Sequence, residues 1–118
     1  MPKKVKILIA DSDLDLLSKL YLTLLHKGYR IEATNEPEEI VMRLERFKPN
    51  LLILNDMMDG LTKSILFELY KKKTAVLLIT EAKDPYSEFR FRKMEHLNKP
   101  VDMIQLDMKI KELINIIA

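Results

Sequence analysis

Cysteine is absent from this chain of 118 residues, and so is tryptophan. Without cysteine the chain can form no disulfide and perform no thiol chemistry, which favours a reducing, cytoplasmic location. Histidine is scarce as well, because His26 and His96 are the only two. A structural zinc site built from the usual His and Cys ligands is therefore not expected.

Long hydrophobic runs are also missing, and none approaches the roughly 20 residues that a membrane-spanning helix needs. The basic start at residues 1–6 is followed by no long apolar stretch, so it is not a secretory signal. The net charge of +2 is nearly balanced, and we interpret the lysines at 3–6 and 71–73 as solvated ends of a strand and a helix. We therefore expect neither a nucleic-acid partner nor membrane association.

What is present is a strict alternation of short apolar runs with helix-period segments. A chain of 118 residues with 47% hydrophobic residues is expected to form one domain, residues 1–118, that buries a hydrophobic core. The alternation itself predicts a parallel sheet with helices on both faces. The predicted strands are 5–10, 29–34, 51–55, 74–80 and 95–98, and the predicted helices are 14–27, 37–47, 64–72, 85–91 and one that begins at 102.

Polar residues stand at the carboxyl ends of four predicted strands. Asp11 and Ser12 follow the first strand, Asn55 ends the third, Thr80 ends the fourth, and Lys99 comes just after the fifth. In an open parallel sheet, ligands bind outside the carboxyl ends of the strands. We therefore expect a carboxylate, an amide, a hydroxyl and an ammonium to converge there.

These four segments together resemble the receiver domain of bacterial response regulators. They read Lys-Ile-Leu-Ile-Ala-Asp-Ser-Asp at 6–13, Pro-Asn-Leu-Leu-Ile-Leu-Asn at 49–55, Leu-Leu-Ile-Thr at 77–80 and Leu-Asn-Lys-Pro at 97–100. The resemblance covers essentially the whole chain, and the order and spacing match all along it apart from shortened segments after Asn55 and Thr80. It implies a flavodoxin-like, doubly wound α/β fold of five βα units, with a parallel sheet of order 2-1-3-4-5. It also implies a role in two-component or phosphorelay signalling.

The resemblance assigns roles to the polar residues. In the family, two adjacent carboxylates after the first strand and an Asp ending the third hold Mg²⁺, and the latter Asp accepts a phosphoryl group. A hydroxyl and a Lys contact that group. Asp11, Thr80 and Lys99 match this pocket, and His96 falls at the position of an aromatic switch. We expect His96 to be a partly buried strand residue.

Two positions depart from the family pattern. Ser12 replaces the second carboxylate, and Asn55 replaces the phosphate-accepting Asp. An amide cannot attack phosphorus as a carboxylate does, and Mg²⁺ prefers hard anionic oxygens. We therefore expect weak or no Mg²⁺ binding at Asp11, Ser12 and Asn55, no other cofactor and no enzyme activity. The leading interpretation is a phosphorylation-independent, receiver-like module that acts through protein–protein interaction.

Three alternatives have weaker support. Asp56 could accept phosphate in place of Asn55, but alternation along the strand is expected to point it away from the pocket. Asp13 could supply the ligand missing at position 12, but capping the first helix is its simpler role. A flavodoxin-like enzyme or cofactor binder is weaker still, because the chain has only two Gly and no Gly-rich phosphate loop.

The last predicted helix carries more apolar residues than one buried face needs. Ile104, Met108 and Ile116 lie beside its core stripe. Since an outer helix of this fold buries only one side, we expect these residues to form a partner face. That face, with the predicted helix 85–91 and strand 95–98, would bind a signalling protein or a second copy of the chain.

Overall fold

Five parallel strands form one sheet in the computed structural model, which describes residues 4–81 and 93–117. Their order is β2-β1-β3-β4-β5, and every neighbouring pair is parallel. This confirms the predicted doubly wound sheet of order 2-1-3-4-5. The strands are β1 (Lys6–Ala10), β2 (Arg30–Thr34), β3 (Leu51–Asn55), β4 (Ala75–Thr80) and β5 (Met94–Asn98).

Local capping signals set where the helices begin. Asp13 caps the first helix, because its side chain accepts a hydrogen bond from the Leu16 N–H at 3.1 Å. Asp102 caps the last helix in the same way. Pro37 opens a 3₁₀ turn over Pro37–Glu39 rather than the α-helix itself, which begins three residues later. The helices are α1 (Leu14–His26), α2 (Ile40–Phe47), α3 (Lys63–Lys71) and α4 (Met103–Ile117).

The predicted helix 85–91 lies outside the described residues. Within the described ranges, no helix is both long enough and apolar enough to span a bilayer.

The core consists of two layers, one on each face of the sheet. Residues of odd number in β1, β3 and β4 pack against α1 and α4, whereas residues of even number pack against α2 and α3. Both strands at the centre, β3 and β4, are buried along their whole length, as their continuous apolar runs predicted. The odd or even number of a residue therefore fixes which layer its side chain joins, and this holds up to the polar strand ends.

Candidate functional site at the carboxyl edge of the sheet

Asp11, Asn55 and Lys99 meet at the carboxyl edge of the sheet. Asp11 is only 1% exposed. Its Oδ1 accepts hydrogen bonds from Asn55 Nδ2 at 3.1 Å and from the Asp13 N–H at 2.9 Å. On the other side of the carboxylate, Lys99 Nζ lies 3.3 Å from Oδ2. The three side chains thus form one connected group, in which the ammonium balances the carboxylate.

The ion pair of this group is shielded from water, since the Lys99 side chain is 16% exposed. Asp11 Oδ2 makes no hydrogen bond of good geometry with the described residues, so its attraction to Lys99 is ionic. A buried ion pair is tolerated when its atoms also have hydrogen-bonding partners, and the two donors on Oδ1 supply them. Removing either charge would leave the other buried alone.

Asn55 uses both ends of its amide. Its Nδ2 donates to Asp11, and its Oδ1 accepts a hydrogen bond from the Met57 N–H at 2.9 Å. The amide therefore links the end of β3, the turn that follows it and the buried carboxylate. A carboxylate at position 55 could accept from Met57 but could not donate to Asp11. It would bring a second negative charge beside the first.

Ser12 has a structural contact of its own. Its Oγ accepts a hydrogen bond from the Asp59 N–H at 2.7 Å. This bond ties the loop after β3 to the loop after β1. No sequence pattern predicted this contact, although the shortened segment after Asn55 indicated that the loop there is altered. The hydroxyl at position 12 is thus already engaged by backbone.

The Thr80 side chain pairs with Asp56. The Thr80 hydroxyl donates a hydrogen bond to the Asp56 carboxyl. Both side chains are buried, with Asp56 9% exposed, and Asp56 Oδ1 has no hydrogen-bond partner among the described residues. Burial raises the pKa of Asp56 above its usual value, and the bond from Thr80 opposes that rise.

Asp56 was expected to point away from all the pocket residues. This expectation is wrong for one of them, because Asp56 contacts Thr80. The register pairs Leu54 with Leu78 and Asn55 with Ile79. Asp56 thus follows in line with Thr80, and both have the even number that places side chains on the α2 and α3 side. Because side chains alternate along a strand, Asp56 and Asn55 point to opposite faces of the sheet. Thr80 has the same parity as Asp56, so alternation places Thr80 on the face opposite to the Asp11 group as well.

His96 is exposed, which corrects the expectation of a partly buried residue. Its neighbour Leu97 is buried against the layer that contains α4. Alternation turns His96 to the opposite face of β5, a strand at the edge of the sheet.

The donor set at this edge does not fit Mg²⁺. Asp11 Oδ1 already takes two N–H donors, and Oδ2 faces an ammonium. Within residues 4–81 and 93–117, no three His, Asp or Glu side chains are grouped so that they could hold a metal ion. Mg²⁺ needs several hard oxygen ligands at short range. Weak or absent Mg²⁺ binding remains a prediction.

The architecture is that of solved response regulators. A two-component response regulator from Clostridium difficile superposes with a TM-score of 0.84 at 24% identity, covering 95% of this chain and 97% of that one. The Francisella response regulator 1452 receiver domain superposes with a TM-score of 0.82 at 18% sequence identity, covering 98% of this chain and 100% of that one. A response regulator receiver domain protein from Methanospirillum hungatei superposes with a TM-score of 0.81 at 21% sequence identity, covering 93% of each chain.

No family model matches the sequence, and neither does any curated protein. The likeness to these structures shows that the chain has the flavodoxin-like fold of receiver domains. The role of this particular chain has to be argued from its own side chains, because one fold can host many functions.

Proposed function

We propose that this chain is a receiver-type signalling module that works without phosphorylation, in a two-component or phosphorelay-type pathway in the cytoplasm. The observation that carries the proposal is Asn55. An amide stands at the end of the central strand, where the family resemblance implies the phosphate-accepting Asp, and both of its ends are already bonded. Lys99 supports it as well, because its ammonium is engaged by Asp11. On this proposal the module is not an enzyme.

The output of such a module is protein binding, and α4 offers a surface for it. Ile104 is 74% exposed and Met108 is 56% exposed. They stand four residues apart, so they lie on the same side of the helix. An ion pair of 3.2 Å between Lys109 and Glu95 joins α4 to the neighbouring strand β5. Exposed apolar side chains on a helix that is held in place suit a protein partner or a second copy of the chain.

The first experiment tests phosphorylation. Incubate the wild type, Asn55→Asp and the double variant Ser12→Asp/Asn55→Asp with acetyl phosphate and Mg²⁺, and measure the intact mass. We expect no adduct on the wild type and an adduct on the double variant. Asn55→Asp alone should form less phosphate adduct than the double variant, because the metal that neutralises the phosphoryl charge would still lack a ligand at position 12. A stoichiometric wild-type adduct would contradict the proposal.

Asp56 supplies the second candidate, a phosphotransfer-competent receiver. The observation in its favour is the pair with Thr80, which places a hydroxyl beside a carboxyl whose Oδ1 has no described hydrogen-bond partner. Against it, burial disfavours the ionised form of Asp56, which is the form that would act as the nucleophile. A wild-type adduct that is lost in Asp56→Asn would favour this candidate over the first.

The second experiment tests the surface on α4. Replace Ile104 and Met108 together with Glu, and measure the self-association of the full chain by sedimentation. The matched control replaces Leu22 and Leu25, two exposed apolar residues of α1, with Glu. If the wild type self-associates, the α4 variant should become monomeric and the control should not. Equal behaviour of the two folded variants would remove α4 from the proposal.

A further inference from the structure

A second cavity lies at the opposite edge of the sheet from Asp11. Its volume is about 510 Å³. Asn50, Thr74 and Lys93 line it, and these residues directly precede β3, β4 and β5. The cavity therefore opens at the amino ends of three neighbouring strands. It is separate from the carboxyl edge and plays no part in the function proposed above.

This cavity, called the groove below, is strongly positive in charge. Among the residues that the structure describes, its lining contains four lysines, Lys48, Lys72, Lys73 and Lys93, and one acidic residue, Glu45. Lys72 Nζ pairs with Glu45 Oε1 at 3.1 Å. The other three lysines form no ion pair with the described residues. Their charges are thus available to a ligand.

Helix capping explains only part of this cluster. Lys48 and Lys72 follow the last residues of α2 and α3, where a cation is favoured by the helix dipole. Lys73 and Lys93 lie outside the helices, next to strands. These lysines come from three separate segments of the chain, and the fold brings them to one cavity of a size common for small-molecule sites.

An aromatic pocket adjoins the groove. It has a volume of about 230 Å³, contains the half-exposed rings of Phe67 and Tyr70, and shares Lys72 and Lys73 with the groove. The Lys71 ammonium lies 4.7 Å from the centre of the Phe67 ring. A flat aromatic ligand group can stack on such rings while its charged portion reaches the lysines.

We propose that the groove and the aromatic pocket together bind a nucleoside polyphosphate. Lys48, Lys73 and Lys93 hold the phosphates as point charges, and the base lies against the rings of α3. A long nucleic acid would need an extended basic surface, whereas the net charge of this chain is only +2. The limited volume of about 510 Å³ and the three lysines without an ion pair to the described residues therefore favour a small, highly charged ligand.

A titration of the intact 118-residue chain tests the proposal. Add ATP or inorganic tripolyphosphate without metal, and follow the amide NMR signals. Both ligands should shift the signals of residues 45–50, 72–74 and 93 saturably, and ATP should bind at least about fivefold more tightly because the base stacks. Equal affinities would overturn the role of the rings and leave a phosphate-chain site. Shifts spread over all the lysines, or no saturation, would overturn the whole proposal.

Charge reversal gives the second test. The variant Lys73→Glu/Lys93→Glu should weaken ATP binding by about tenfold or more, since two phosphate contacts become repulsive. The control Lys4→Glu/Lys19→Glu changes the net charge equally at exposed lysines outside the groove and should stay within about twofold of the wild type. Equal losses would mean non-specific attraction. If the first variant fails to fold, Lys73→Gln should still weaken binding about threefold, and an unchanged affinity would refute the site.

Discussion

Asp11 and Asp56 are both buried carboxyl groups at the same edge of one sheet, yet their surroundings differ. Asp11 has an ammonium on one oxygen and two N–H donors on the other. Asp56 has the hydroxyl of Thr80 and an oxygen with no hydrogen bond to the described residues. Burial therefore does not by itself decide what a carboxyl group does. The charges and donors that the fold places beside it decide whether its ionised form is stabilised.

The comparison also separates two kinds of chemistry at this edge. The Asp11 group has its cation built in, so it needs no metal to balance its charge. Among the described residues, no cation forms an ion pair with Asp56, and burial raises the pKa of Asp56. The first arrangement suits a fixed structural core under a binding module. In the second arrangement, burial raises the pKa of a carboxyl group, so its contribution to stability depends on pH.

Removing the cation of the Asp11 group should have the largest effect. In Lys99→Met, the Asp11 carboxylate stays buried with no cation, so the free energy of unfolding should fall by about 3 kcal/mol. Chemical denaturation of the full chain measures it. The control Lys111→Met breaks the exposed pair with Asp107 and should change stability little. A small decrease in the free energy of unfolding of Lys99→Met would show that water reaches Asp11. The surroundings of Asp11 and Asp56 would then differ less than the structure indicates.

Adding a second charge beside Asp11 should come next. In Asn55→Asp, the donor to Asp11 is lost and two carboxylates meet, so stability in chelator should fall by about 2 kcal/mol. The control Asn50→Asp keeps its exposed bond from the Lys6 N–H and should be nearly neutral. For Ser12→Asp/Asn55→Asp, Mg²⁺ should restore much of the lost stability. A double variant that folds but ignores Mg²⁺ would mean that the loop after Asn55 also prevents metal binding.

The pH dependence of stability should reveal Asp56. Its pKa in the folded chain is raised above the ordinary 3.8, so between the two pKa values the folded state binds more protons than the unfolded one. Stability contributed by this group is therefore full below the unfolded pKa and declines as pH rises through the folded pKa. Asp56→Asn keeps an acceptor for Thr80 and should not show that decline. A difference between wild type and variant that does not depend on pH would contradict the raised pKa.

Ser12 should show the smallest effect. Ser12→Ala removes the acceptor for the Asp59 N–H, and we expect a loss of about 0.5 kcal/mol because the bond is exposed. Amide exchange at Asp59 should become faster, while exchange at Asp13 should not change. Slow exchange retained at Asp59 would show that the bonds of Asn55 alone hold the loop.

The fold followed from the sequence because local patterns determine its elements. The predicted strand 51–55 matches β3 residue for residue, and the other described strands begin within one residue of their prediction. The resemblance to receiver domains, not periodicity, supplied the strand order that the structure confirms. Burial of His96 was predicted wrongly, because exposure at an edge strand depends on what packs over it.

The sequence by itself determined where the strands end and which polar residues stand there, since periodicity and apolar runs are properties of neighbouring residues. It also showed that positions 12 and 55 lack carboxylates. Only the tertiary structure decided which of these side chains meet. Register and face placed Asp56 with Thr80 instead of with Asp11, and the crossover connections brought lysines from separate segments into one groove. Such contacts join residues far apart in the chain, so no local pattern records them.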